Sequence, residues 1–242
     1  MPRLLYTEIA PPASIAAYVD CFWTVAVDPS GTGSPHHRVF PDGCWTLSIG
    51  IRPIWYVRLR APATTPFVAP YTADELIVGV RFRPGPPPAG VLDRARRMVR
   101  PGQSVQEIFF LLSEVIQNST FHRDHRLDFM VSKLRLSEGR LPVAKVTEEL
   151  DIGERQLERL STRHLGLAPK TFARIIRLQS VLRCFIASPN CKLAGIATDF
   201  GYADQTHMAR DFTQFGGGIT PLQYRESLAH VGFVLASASG PR

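Results

Sequence analysis

Along residues 1–90 the apolar positions come in short bursts broken by proline and glycine. Residues 21–27 (CFWTVAV), 39–40 (VF), 45–49 (WTLSI), 55–59 (WYVRL) and 76–82 (LIVGVRF) are rich in β-branched and aromatic side chains, which fit strands. Pro41-Asp42-Gly43 and Pro84-Gly85, with three further prolines behind it, supply turn signals between them. Many short strands joined this way predict a β-rich domain of sandwich or barrel-like form. From about Leu92 the apolar spacing lengthens to three and four. In 104–117 (SVQEIFFLLSEVIQ) Val105, Ile108, Phe109, Leu112 and Val115 or Ile116 share one helical face. So broad a stripe must be buried, against its own domain or against a second subunit. Another helix is expected at 127–137.

Residues 141–226 read as wholly helical and carry an approximate internal repeat. Val143, Val146, Leu150 and Ile152 return fifty residues later as Leu193, Ile196, Phe200 and Tyr202. Leu157 and Arg159 return after fifty-one, as Met208 and Arg210. The turn Gly166-Leu167-Ala168-Pro169 is echoed by Gly218-Ile219-Thr220-Pro221. Two copies of one helical unit account for this. Each copy has a helix (about 142–149 and 192–199), a short turn, then a second helix. Asp204 is placed to cap the later one. Helix, turn, helix is the geometry that lets a second helix lie in the major groove of DNA.

The outward faces of these second helices sharpen the prediction. In the first copy Leu157 and Leu160 face inward, leaving Arg155, Gln156, Glu158, Arg159 and Arg163 outside. In the second, Met208, Phe212 and Phe215 face inward, leaving Gln205, Thr206, Ala209 and Arg210. Arginine pairs bidentately with guanine, and a small face such as Ala209 permits close approach to a thymine methyl. Each arginine taken alone also fits an ordinary solvated side chain. Glu158 repels phosphate, so it either reads a cytosine amine or orients Arg155 and Arg159. A long helix from Lys170 to Ala187 would fix the separation of the copies, with Arg163, Lys170 and Arg174 as phosphate-contact candidates.

Charge adds only modest support. The chain of 242 residues has a net charge of +7, compatible with a polyanionic partner. Within 141–226, however, 11 basic residues face 9 acidic ones. Affinity must therefore come largely from specific contacts or from dimerisation. The start, MPRLLYTEIAPP, lacks a signal-peptide core, and no apolar run is long enough for a membrane span. A cytoplasmic protein with reduced thiols and no membrane partner is expected. Cys21, Cys44, Cys184 and Cys191 form no paired motif.

The stretch 150–160 (LDIGERQLERL) followed by 164–172 (HLGLAPKTF) resembles the first half of the DNA-binding domain of AraC/XylS transcription regulators. Residues 196–212 (IATDFGYADQTHMARDF), with Thr220, Pro221 and Tyr224, resemble the second half. The resemblance implies promoter binding, frequent dimerisation and frequent tuning by a small molecule, with RNA polymerase as the partner in transcription. It starts the recognition helices near Glu154 and Gln205. Base-contacting positions then fall on Arg155, Glu158 and Arg159, and on Gln205, Thr206, Ala209 and Arg210. Two departures stand out. Ser161 occupies a usually aromatic position, which would hold the first recognition helix less firmly. The run Phe215-Gly216-Gly217-Gly218 exceeds the usual single glycine and would fray the end of the second. His37–Cys44 and Gly79–Gly85 resemble sensor-type domains attached to some members of this family.

The expected protein is thus a two-domain α+β chain. It has a β-rich sensor or dimerisation domain (1–91) and a helical linker or dimerisation segment (92–140). An all-α DNA-binding domain with two helix-turn-helix units (141–226) and a tail (227–242) follow. Trp23, Phe40, Trp45, Trp55, Tyr56 and Phe82 either line an effector pocket or form plain core. Arg81 and Arg83 either meet an anionic effector or face solvent. Two other classes compete: a non-catalytic protein-interaction module, and a cupin-like metal enzyme built on His36, His37, Asp42 and Cys44. Adjacent histidines on a strand point to opposite faces, which weakens the metal set. A reactive cysteine of an alkyl-transfer protein would have to be Cys184 or Cys191. No phosphate loop, HExxH or nucleophile elbow is present, so neither catalysis nor a cofactor is expected.

Overall fold

A computed structural model describes residues 4–27, 36–72, 74–188, 192–228 and 231–234. Its strands are β1 (Leu4–Ile9), β2 (Val19–Val27), β3 (His36–Val39), β4 (Thr46–Arg52), β5 (Tyr56–Arg60), β6 (Phe67–Pro70), β7 (Leu76–Phe82) and β8 (Val231–Val234). The helices are α1 (Val91–Met98), α2 (Val105–Gln117), α3 (His125–Leu136), α4 (Val143–Leu150), α5 (Glu154–Leu165), α6 (Pro169–Ala187), α7 (Leu193–Asp199), α8 (Gln205–Gly216) and α9 (Pro221–Ser227).

Six strands form one sheet in the order β5-β4-β7-β2-β1-β8, while β3 and β6 form a separate antiparallel ribbon. Strand alternation divides the side chains of the sheet. Phe22, Leu47, Ile49, Val78, Val80 and Phe82 pack on one face beneath Val91 and Ala95 of α1 and Ile108, Leu112, Val115 and Ile116 of α2. Leu4, Val25, Val27 and Ile77 pack on the other with Tyr71, Tyr6, Trp23 and Tyr56. The β-rich domain is therefore a sheet covered on one face by its own helices. The apolar stripe of α2 is buried within its own domain, although Phe110 on its outer side remains 65% exposed. Ser104 begins α2 with a reciprocal capping box to Glu107.

The helical region 92–140 does not behave as one segment. Helices α1 and α2 belong to the sheet, whereas Leu127, Met130, Val131 and Leu134 of α3 enter the second core with α4–α9. The segment expected as a tail contains β8, which pairs in parallel with β1 at the sheet edge. Asp20 on β2 bonds both Arg81 of β7 and Arg135 of α3, each at 3.0 Å, and so ties the sheet to the second core. Burial works to raise the Asp20 pKa, but the two guanidinium groups outweigh it and hold the carboxyl below its ordinary range.

Candidate nucleic-acid interface

The two helix-turn-helix units share one core. Val146, Leu157, Leu160 and Leu165 come from the first, Ile196, Tyr202, Met208, Phe212 and Phe215 from the second, and Phe172, Ile175, Ile176 and Leu178 from α6 between them. At 19 residues, α6 is roughly 28 Å long. The second helices of the two units start at Glu154 and Gln205, and Asp204 accepts from the His207 amide at 2.7 Å.

The turns explain the change of repeat offset from fifty to fifty-one. In the first unit the left-handed residue Asp151 (φ 50°) and the N-cap Gly153 are separated by Ile152 alone. In the second, Gly201 (φ 71°) and the N-cap Asp204 are separated by Tyr202 and Ala203. One extra residue in the second turn displaces everything after it.

On α5, Arg155, Glu158, Arg159 and Arg163 are all exposed, with Leu157 and Leu160 beneath them. On α8, Gln205, Thr206 and Arg210 are exposed and Ala209 is half-buried. Among the described residues no side chain of Arg155, Arg159, Arg163 or Arg210 makes a hydrogen bond or ion pair within the chain, and Lys170 at the start of α6 is exposed as well. Glu158 makes no ion pair with Arg155 or Arg159, so the orienting role considered for it is not seen. The α5 face presents three arginines and a glutamate, the α8 face one arginine with an amide, a hydroxyl and a methyl, on helices held by the same core.

Arg174 differs from the other phosphate-contact candidates. It donates to Asp211 from Nε (3.0 Å) and from one terminal nitrogen (2.6 Å), and to Gln214 at 2.6 Å. Its guanidinium also lies over the Phe215 ring at 4.9 Å. Asp211 is only 1% exposed, so Arg174 neutralises a buried charge and clamps α6 to α8. Tyr202 is buried nearby, and burial together with the Asp211 carboxylate pushes its pKa upward. The clamp escaped the sequence reading, although one signal was there. Asp211 occupies the inward face between Met208, Phe212 and Phe215, where a carboxylate requires a partner.

Several expectations are corrected. Trp23, Phe40, Trp45, Tyr56 and Phe82 do not converge on one cavity. Trp23 and Tyr56 pack on one sheet face, and Phe82 and Trp45 on the other, because strand neighbours alternate. Phe40 leaves the β-rich domain altogether and is buried in the helical core. A hollow of about 390 Å³ lies instead beside α2, lined by Gln103, Gln106, Glu107, Phe110 and Leu111. Arg81 is already paired with Glu8 and Asp20, and Arg83 donates to the Ala16 carbonyl, so neither is left waiting for an anion.

Ser161 does not loosen α5. Buried, it donates to the Leu167 carbonyl at 2.6 Å and ties the helix to the turn behind it. Nor does the glycine run fray α8, which continues through Gly216 and ends at Gly217 in the left-handed conformation (φ 65°). Cys21 and Cys44 are buried. Burial pushes the Cys21 thiol up to about 12 and Cys44 well above its usual value, which disfavours the reactive thiolate. Cys184 is half-buried and Cys191 lies outside the described residues, as do the side chains of His36 and His37. Among the described residues no group of three or more His, Cys, Asp or Glu could hold a metal ion, and no helix is long and apolar enough to cross a membrane.

Residues 146–227 match the helix-turn-helix domain family, and residues 7–89 match a domain of unknown function (DUF6597). No curated protein sequence matches the chain. Among solved structures, ToxT from Vibrio cholerae O395 is 12% identical, over 94% of this chain and 98% of that one, with a TM-score of 0.44. Unsaturated fatty acid bound ToxT from Vibrio cholerae strain SCE256 is 10% identical, over 93% and 94%, with a TM-score of 0.41. These likenesses are low, and the assignment rests on the sequence match and the residues of the two units. Residues 146–227 form a helix-turn-helix domain. The residues of both units resemble those of AraC/XylS transcription regulators.

Proposed function

We propose that α5 and α8 read base edges in successive major grooves on one face of the duplex. Arg155, Glu158 and Arg159 form the first reading set, and Gln205, Thr206, Ala209 and Arg210 the second. The observation that carries this is the pair of outward polar faces, one on each unit, whose arginine side chains have no internal partner. Successive major grooves lie about 34 Å apart, which α6 as a rigid spacer is suited to match. With its arginine neighbours unpaired to it, Glu158 is assigned to a cytosine amine. Arg163 and Lys170 remain the phosphate contacts, and Arg174 is withdrawn from that role.

The N-terminal domain has its own core and contributes no residue to either reading face, so we assign it to effector response and self-association. The outer face of α2 around Phe110 is the surface we assign to a homodimer, and contact with RNA polymerase would follow from promoter binding. Gel filtration of Phe110→Asp against the parent chain tests the dimer. Selection of bound duplexes from random DNA, with titration of the best site at several salt concentrations, tests the main reading. Two enriched half-elements about one helical turn apart are expected. Binding without an enriched motif would remove base reading, and no binding would favour a protein-interaction module.

A further inference from the structure

The segment Arg38–Cys44 belongs by chain position to the β-rich domain, where Arg38 and Val39 pair with Val68 and Phe67 of β6, yet Arg38, Phe40 and Pro41 also contact the helix-turn-helix domain. Phe40 is 6% exposed and sits edge-on to Phe212 of α8 (centroids 5.9 Å apart) and Tyr224 of α9 (5.1 Å). Phe185 completes this aromatic cluster. A terminal nitrogen of Arg38 donates at 2.6 Å to the carbonyl of Gly216, in the last turn of α8, where free carbonyls favour a cation. The Pro41 carbonyl accepts from Gln179 of α6 at 2.7 Å.

Missing side chains make this approach possible. A Cβ on Gly216 would lie 2.9 Å from the Phe40 ring, and one on Gly217 would lie 2.9 Å from both the Arg38 guanidinium and Pro66 of the β-rich domain. From the other side, a Cβ on Gly43 would lie 2.6 Å from the Phe172 ring. The glycine run after Phe215 is thus a seat for another domain. The contacts of Arg38 and Phe40 reach the second unit only. Among the described residues no hydrogen bond, ion pair or ring contact joins residues 4–90 to α4 or α5.

We propose that Arg38–Cys44 is a structural key of the second helix-turn-helix unit, through which the N-terminal domain positions α8 while leaving α5 to the helical core alone. Arg38 and Phe40 are positioning residues, because they act on the reading face through Gly216, Phe212 and Tyr224. The significance of this key for DNA rests on the reading proposed above, but its mechanics do not.

The test is amide hydrogen exchange on the full chain without DNA, comparing the parent with Gly216→Ala, Phe40→Ala and the double variant. Gly216 has ordinary helical backbone, and alanine is the better helix former. If the seat were unimportant, Gly216→Ala would leave α8 exchange unchanged or slower. The key predicts that α8 amides exchange about tenfold faster in either single variant, while α5 stays within about twofold of the parent. In the double variant the added methyl finds space, so α8 exchanges more slowly than in Phe40→Ala alone. Unchanged or slower α8 exchange in Gly216→Ala would overturn the key, and so would parallel acceleration of α5 and α8. Should Phe40→Ala fail to fold, Phe40→Leu replaces it in both the single and the double variant, because a Cβ on Gly216 would also lie 3.1 Å from Ile219 of its own domain. Neither outcome depends on which bases are read.

Discussion

The two helix-turn-helix units have the same outline but are held differently. In the first, α5 lays Leu157, Leu160 and Leu165 into the shared core and is secured behind by the buried Ser161 bond to Leu167. The second has a buried ion pair, Arg174–Asp211, and a phenylalanine borrowed from the β-rich domain. Duplicated sequence therefore does not mean duplicated mechanics.

The largest effect should come from the ion pair. Arg174→Met leaves Asp211 buried without its cation and should lower stability by about 3 kcal/mol, read from urea unfolding. Replacing Asp211 as well, with leucine, should recover much of that loss. A change below about 1 kcal/mol for the single variant would show that water replaces the guanidinium and that the clamp is weak. Next come the reading faces. Arg210→Ala and Arg159→Ala should each lose about 1–3 kcal/mol of discrimination at one base position, in different half-elements. Equal losses on selected and random duplexes would make either arginine a phosphate contact.

Smaller effects sharpen the contrast on the first unit's side. Ser161→Ala removes one buried hydrogen bond and should cost about 1 kcal/mol, with faster exchange concentrated in α5. Equal acceleration in α8 would mean that the units are not separately supported. The smallest change is a gain. Asp151→Gly relieves a non-glycine residue in left-handed backbone and should stabilise by about 0.5 kcal/mol, below the parent only if the Asp151 side chain caps the turn.

How far the sequence disclosed this can be judged from particular elements. The helices of the helix-turn-helix domain were legible because their apolar spacing is strong and repeated, and Asp204 announced its cap. Strand β1 was not, since Leu4–Ile9 is short and carries polar residues at its centre, and β8 pairs with it across almost the whole chain. The exposed faces of α5 and α8 were legible because outward positions follow from inward ones. Phe40 was not, because an aromatic residue beside a turn gives no sign of which domain will bury it. The glycine run misled for a related reason. Three glycines suggest a loose end when only their own helix is considered, and a close approach when the neighbour is known.

The most direct measurement is hydroxyl-radical footprinting of the parent chain and Gly216→Ala on a duplex selected by the parent. The account predicts two protected half-elements for the parent, with protection of the α8 element weakened and that of the α5 element retained in the variant. Two half-elements that persist unchanged, or that disappear together, would contradict it.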